Sequence, residues 1–150
     1  MNRKGFSLLE MLTTILIIGI LSAIALPQYA RVREKAHFSR AQVMARALYA
    51  SCERLLTEFG VDYNALDAND KKIPRLDIGS VNLLPGGFSI SQDEMSISGA
   101  GFSYALKQDE PECVVQITKI SDNTQIVYNG ESFTCSDTGT GTCDLFGLED

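Results

Sequence analysis

An uninterrupted apolar segment near the amino terminus constrains this chain more than any other feature. No charged residue occurs from Met11 to Leu26, and the segment extended back to Phe6 contains a single charge, Glu10. As an α-helix, these 21 residues would measure about 31 Å, which matches the ~30 Å hydrocarbon core of a bilayer. The segment therefore predicts a membrane-spanning helix.

Two other interpretations of this segment fit less well. A helix in the core of a soluble protein needs apolar residues on one face, whereas isoleucine and leucine occur here on every face. The apolar part of a cleaved secretory signal covers about 7–15 residues and precedes small residues at a cleavage site. This segment is longer and continues into Pro27, Gln28 and Tyr29 and then a basic stretch, so we expect it to be retained.

Charge divides the chain near residue 59. Residues 1–59 contain eight basic and four acidic side chains, whereas residues 60–150 contain five basic and 15 acidic ones. The overall net charge of −6 therefore combines a basic amino-terminal part with a strongly acidic carboxy-terminal part. Because nucleic-acid binding requires a basic surface, we predict that the carboxy-terminal part binds no nucleic acid.

A short basic leader precedes the apolar segment. The residues from Arg3 to Glu10 read Arg-Lys-Gly-Phe-Ser-Leu-Leu-Glu, and this string closely resembles the processing site of type IV prepilins and of the pseudopilins of type II secretion. The resemblance implies that a membrane peptidase cuts between Gly5 and Phe6 and that Phe6 becomes a methylated amino terminus. It also implies that Glu10, five residues beyond the cut, pairs with the terminal amine of a neighbouring subunit.

The position of Glu10 can also be judged from physical chemistry. An ionised carboxylate inside a bilayer is costly unless a cation is brought close to it. No basic residue lies between Glu10 and Arg31, so a nearby partner must lie upstream or on another chain. The alternative is that Glu10 lies shallow and reaches the membrane surface.

A second helical pattern follows the apolar segment. Residues 30–59 contain neither proline nor glycine, and apolar side chains recur there at spacings of three and four, which is the pattern of an amphipathic helix. Gly60 is the expected stop. The predicted apolar stripe consists of Ala41, Met44, Leu48, Cys52, Leu55 and Phe59.

Two residues interrupt the first part of the long helix. Pro27 removes a backbone hydrogen bond, which predicts a kink, and Gly19 weakens the helix. In type IV pilins a glycine and a proline so placed bound a segment that can unwind in the filament, and the resemblance implies the same here. For Gly19, close packing between membrane helices is the alternative.

The rest of the chain has the character of a small β-rich head. Strand patterns cover Phe102–Leu106, Cys113–Ile120 and Gln125–Tyr128, while residues 62–76 indicate a loop and residues 84–87 a turn. Short strands with short connections predict an antiparallel meander packed on the helical stripe, which is an α+β fold.

These patterns divide the chain into four predicted parts. We expect a leader at residues 1–5, an apolar transmembrane and assembly helix at 6–29, an amphipathic helix at 30–59, and at 60–150 a head that ends in a disulfide loop.

The four cysteines of an exported domain predict two disulfides, for which three pairings are possible. Cys135 and Cys143 bracket a flexible loop that can close locally, while Cys52 on the core face of the helix leaves Cys113 as its partner. We therefore favour Cys52–Cys113 and Cys135–Cys143. A zinc site is the alternative, although no pair of cysteines has the close spacing of structural zinc ligands.

Basic residues lie on both sides of the apolar segment: Arg3 and Lys4 precede it, and Arg31, Arg33 and Lys35 follow it. The positive-inside rule alone therefore does not place the head outside the cell. The resemblance and the cysteines favour an outward head.

Catalytic and metal-binding patterns are not recognisable in the sequence. There is one histidine, and no nucleophile–base pair or cofactor motif is evident. Asp137 and Asp144 are few for a calcium ion, which takes six to eight oxygen ligands. We predict no enzyme activity, no cofactor and no metal site.

Together with the resemblance, these patterns predict a type IV pilin. Such a chain is a single-pass protein of the bacterial inner membrane with its head in the periplasm, and it later polymerises through its amino-terminal helix into an extracellular filament for adhesion, motility or DNA uptake. The implied partners are other copies of the chain or other pilins, the prepilin peptidase, the pilus assembly platform, and the membrane before assembly. The alternatives are a type II secretion or competence pseudopilin and a monomeric membrane-anchored binding domain.

Overall fold

The fold is described from a computed structural model. The chain divides into two units, residues 1–36 and 37–150, and each unit is described by itself. The expected turn at 84–87 and most of the expected loop at 62–76 lie outside the described residues. The residues that the structure describes are 7–60, 62, 65–67, 88–92, 95–107, 110–137 and 139–148.

Helix α1, Leu8–Phe59, supplies both units and contains Pro27 in its interior. In the first unit, every described apolar side chain is exposed. In the second unit, the helix has one buried face. Its buried residues are Phe38, Ala41, Met44, Ala45, Leu48, Ser51, Cys52 and Leu55.

The end of α1 agrees with the sequence prediction. Gly60 follows the helix with a φ of +64°, and its N–H donates to the carbonyl of Leu56 over 2.7 Å. Glycine adopts this left-handed conformation at no steric cost, which is why it commonly ends helices. The prediction that Phe59 belongs to the buried stripe was wrong. Phe59 is 39% exposed, because it lies one turn beyond Leu55, the last buried residue of the helix.

In the described part of the chain, six strands follow α1 in one antiparallel sheet, and their order in the sheet is their order in the sequence. The predicted meander is therefore confirmed. A short helix, α2, Thr142–Phe146, comes last. The strands are β1 Phe88–Ile90, β2 Ser96–Gly99, β3 Phe102–Leu106, β4 Val115–Lys119, β5 Gln125–Tyr128 and β6 Phe133–Ser136.

The register of the sheet places one row of side chains in the core. Ile97 lies opposite Tyr104, Tyr104 opposite Ile117, Ile117 opposite Ile126, and Ile126 opposite Cys135. All five are buried, because residues paired across strands share a face of the sheet. This face and the buried face of α1 form one hydrophobic core, which confirms the α+β fold.

Aromatic packing closes one end of this core. Phe38 of α1 stacks on Phe146 of α2, with ring centroids 4.2 Å apart and planes inclined by 10°. Phe102 lies 6.3 Å from Phe38 and 6.1 Å from Phe146. The contact joins the first packed turn of the long helix in this unit to the last element of the chain.

Candidate assembly site

The candidate site begins where α1 begins. Ser7 precedes the first helical residue, and its backbone N–H donates to Glu10 Oε2 over 3.4 Å. Glu10 thus has the place of the acid in a Ser-x-x-Glu capping box, in which the carboxylate accepts the N–H of the capping residue. A negative charge in the first turn also stabilises the helix, because the amino-terminal end of the helix dipole is positive. The spacing of Ser7 and Glu10 was a signal for this local role, which the sequence analysis missed.

Two hydroxyl groups follow in the next turn, and both are satisfied by the helix itself. Thr13 Oγ1 donates to the carbonyl of Glu10 over 3.0 Å, and Thr14 Oγ1 donates to the carbonyl of Met11 over 2.8 Å. Because each hydroxyl proton has an acceptor within the helix, these side chains can enter an apolar environment at a reduced cost.

Exposed apolar side chains lie both before and after these threonines along the helix. Within the described part of the chain, one helix, α1, is long and apolar enough to cross a membrane, and none of its most apolar window is buried. An exposed apolar surface of this extent marks contact with a membrane or with other protein. Its large side chains, each more than half exposed, are Leu8, Leu9, Met11, Leu12, Ile15, Leu16, Ile17, Ile18, Ile20, Leu21, Ile24 and Leu26.

The remaining predicted residues of this segment have separate positions. A Cβ atom added at Gly19 would meet nothing within 4 Å, so the packing of the chain itself does not require glycine there. Pro27 lies inside α1, and the kink expected at this residue stays a prediction. The expected cleavage residues Gly5 and Phe6 lie outside the described residues.

The cysteines are joined as the sequence analysis favoured, Cys52 to Cys113 and Cys135 to Cys143, with Cα–Cα distances of 6.0 Å and 5.7 Å. All four side chains are buried. The first disulfide links α1 to the segment before β4. The second links β6 to α2 across a separation of eight residues, so the last helix of the chain is covalently fixed to the last strand.

A polar cluster centred on Asp122 adds a second connection to α2. Asp122 Oδ2 accepts hydrogen bonds from Thr142 Oγ1 at 2.7 Å and from Lys119 Nζ at 3.0 Å, and Oδ1 accepts the N–H of Thr124 at 3.2 Å. Partial burial acts to raise the pKa of Asp122, but these hydrogen bonds outweigh it and lower the pKa to about 2. The turn between β4 and β5 is thereby held to the start of α2.

Asp137 organises the loop inside the second disulfide. Its carboxylate accepts the N–H of Cys143 at 3.0 Å and the N–H of Gly139 at 2.8 Å. These two hydrogen bonds lower the pKa of Asp137. The carboxylate considered for calcium in the sequence analysis is therefore engaged by the backbone of its own loop.

The comparison with family models defines the class of the amino-terminal segment. Residues 1–26 match the model described as the prokaryotic N-terminal methylation motif. This match contains the expected leader, Glu10 and the whole apolar segment. A long helix whose second part packs on an antiparallel sheet agrees with this match, and both support a resemblance to type IV pilins and fimbrial subunits.

The relatives agree with this class. A fimbrial protein of Pseudomonas aeruginosa is 39% identical over 56 residues, which are 37% of this chain and 36% of that protein. The type IV major pilin protein PilA of Myxococcus xanthus is 34% identical over 57 residues, 38% of this chain and 26% of that protein. The chain thus matches about a third or less of these two relatives.

A third relative matches over most of its length. The type IV major fimbrial protein FimA of Dichelobacter nodosus is 27% identical over 150 aligned positions, and the alignment covers 94% of this chain and 87% of that protein. The comparison with solved structures found no match. The match to the family model lies within residues 1–26.

Proposed function

We propose that this chain is a structural, non-catalytic subunit of a type IV pilus filament. In this proposal it is made with a leader of residues 1–5, is cut after Gly5, and is methylated on Phe6. It is stored in the bacterial inner membrane with its head in the periplasm, and it polymerises through α1 into a filament at the cell surface. The proposed partners are the prepilin peptidase, the assembly platform, and other copies of the chain or other pilins.

The main support for this proposal is the contrast between a second unit with a packed core and a first unit with an exposed apolar surface. The second unit has its own core, formed by a helix face, a six-stranded sheet and two disulfides. In the first unit, every apolar side chain that the structure describes is exposed. Such a surface needs a bilayer in the stored state and other protein in a water-exposed filament, which are the two environments of a pilin.

The role of Glu10 gives the sharpest test of assembly. Either Glu or Gln can serve as the third helical residue of a capping box, so Glu10→Gln keeps the local cap and removes the charge. Glu10→Ala removes both. We expect both variants to be inserted in the membrane at the parent level and to yield no surface filaments by electron microscopy, because the charge is needed between subunits.

The matched control is Glu58→Gln, which removes an exposed acidic charge in the last turn of the same helix. This variant should assemble normally. Filaments of Glu10→Gln at the parent level, with none from Glu10→Ala, would mean that Glu10 acts only as a helix cap. Normal filaments from both variants would remove Glu10 from assembly altogether.

A further inference from the structure

The charge-free part of α1 has sharp ends. No charged residue occurs from Met11 to Ala30, and these residues span about 30 Å of helix, the thickness of the hydrocarbon core. Glu10 lies at one end and Arg31 at the other. Tyr29 is 67% exposed next to the second end, and tyrosine is enriched where membrane helices meet the headgroup layer.

Three basic residues follow this end within five positions: Arg31, Arg33 and Lys35, all exposed. At 3.6 residues per turn, Lys35 lies about 40° around the helix from Arg31, while Arg33 lies about 200° from it. The cations therefore lie on two opposite sides of the helix within about 6 Å of its length. The described acid within this stretch is Glu34, which is half-buried, so the stretch remains net positive.

Cations on two sides of the helix suit a layer of lipid headgroups better than a docked protein surface. A protein surface docked on one side of the helix would meet the side of Arg31 and Lys35 or the side of Arg33. A layer of headgroups surrounds a spanning helix and meets all three. Long basic side chains at the end of a spanning helix also reach readily into that layer.

We propose that Arg31, Arg33 and Lys35 form a basic collar that binds the phosphate groups of anionic phospholipids while the chain is stored in the membrane. The proposal rests on the proposed function, which requires that α1 spans a bilayer before assembly. Each basic residue near an anionic membrane surface contributes about 1 kcal/mol, which is about a fivefold preference for anionic lipid. The collar lies on the side of the head, opposite the leader, and it needs anionic lipid in that leaflet.

The chain offers a clean reporter for the test, because it contains no tryptophan. Tyr29→Trp places a single indole two residues before Arg31. The full chain with this substitution is reconstituted in phosphatidylcholine vesicles that contain either brominated phosphatidylglycerol or the same fraction of brominated phosphatidylcholine. Bromine quenches indole fluorescence on contact, so the ratio of the two quenching constants reports the lipid preference at the collar.

We expect stronger quenching by the anionic lipid in the reporter chain. Arg31→Gln, Arg33→Gln and Lys35→Gln should each lower the ratio by up to about fivefold, and 1 M salt should lower it in the reporter chain, since the Debye length falls to about 3 Å. The control is Lys107→Gln, which removes a partly exposed cation of the head and should leave the ratio unchanged.

Three results would overturn the collar, and they have different meanings for the proposed function. Equal quenching by both lipids, or a quenching ratio unchanged in a variant that combines Arg31→Gln, Arg33→Gln and Lys35→Gln, would show a spanning helix without a preference for anionic lipid. Absence of quenching by either lipid would show that Tyr29 does not lie at a membrane, so the stored membrane state would fail together with the collar.

Discussion

Asp122 provides a prediction whose size follows from the structure. Hydrogen bonds from Thr142, Lys119 and Thr124 outweigh partial burial and lower its pKa from 3.8 to about 2. That fall corresponds to about 2 kcal/mol of folding free energy at neutral pH. The side chain is 19% exposed, so solvent screens these contacts only in part. We expect Asp122→Asn, which keeps the shape but loses the charge, to unfold with about 2 kcal/mol less free energy at pH 7.

The pH dependence of this difference fixes its cause. Because the folded state holds the pKa below its unfolded value, the stabilisation is present above about pH 4 and is lost as pH falls through about 2. The parent should therefore lose its advantage over Asp122→Asn across this range, and the two proteins should have nearly equal stability below about pH 2.

The assay is urea unfolding of the full chain in detergent, followed by near-UV circular dichroism of the tyrosines and extrapolated to zero urea. Asp67→Asn, at an exposed acid of the same unit, is the control for a general effect of charge. A difference between the parent and Asp122→Asn below about 0.5 kcal/mol at pH 7, or one that stays constant down to pH 2, would refute the assigned role of this cluster.

Two further predictions concern the head. Cys113→Ser opens a loop with a sequence separation of 61 and should lower the unfolding free energy by about 4 kcal/mol, whereas Cys143→Ser opens a loop with a separation of eight and should lower it by about 2.5 kcal/mol. Urea unfolding under oxidising conditions measures both losses. Equal losses would contradict this ranking. Gly130→Ala should lower the melting temperature more than Gly139→Ala. Both glycines have a positive φ, but only a Cβ at Gly130 would collide with the Tyr49 ring. An equal fall in melting temperature in both variants would show that this collision does not destabilise the fold.

Strong side-chain patterns made part of the fold predictable. The residues of β3 and β5 alternate between large buried side chains and more exposed positions, and both strands have the bounds expected from sequence. The helical stripe before Gly60 was readable for the same reason, since its period of three to four residues persists over several turns.

Elements defined by their neighbours were not predictable. Strands β1, β2 and β6 have only three or four residues each, so an alternating pattern is too short to be distinguished in their sequences. Helix α2 has five residues and is held by a disulfide, by Asp137 and by Asp122. An isolated helix of this length is unstable, so only tertiary contacts define it.

The candidate site shows the same division. The apolar segment and the basic leader were evident because each is a local run of like residues. The capping role of Glu10 depends on a single spacing to Ser7. The cluster around Asp122 joins residues that are up to 20 positions apart, and a single sequence gives no signal for such a contact.

The intact mass of the protein recovered from sheared surface filaments tests whether this chain is a processed filament subunit. We expect a chain that begins at Phe6, carries one added methyl group, and lacks the four hydrogens removed by two disulfides. A mass that retains Met1 to Gly5 in filament material would contradict processing as a condition of assembly. Recovery of this chain only from the membrane, under conditions in which the cells carry filaments made of other subunits, would contradict its role as a filament subunit.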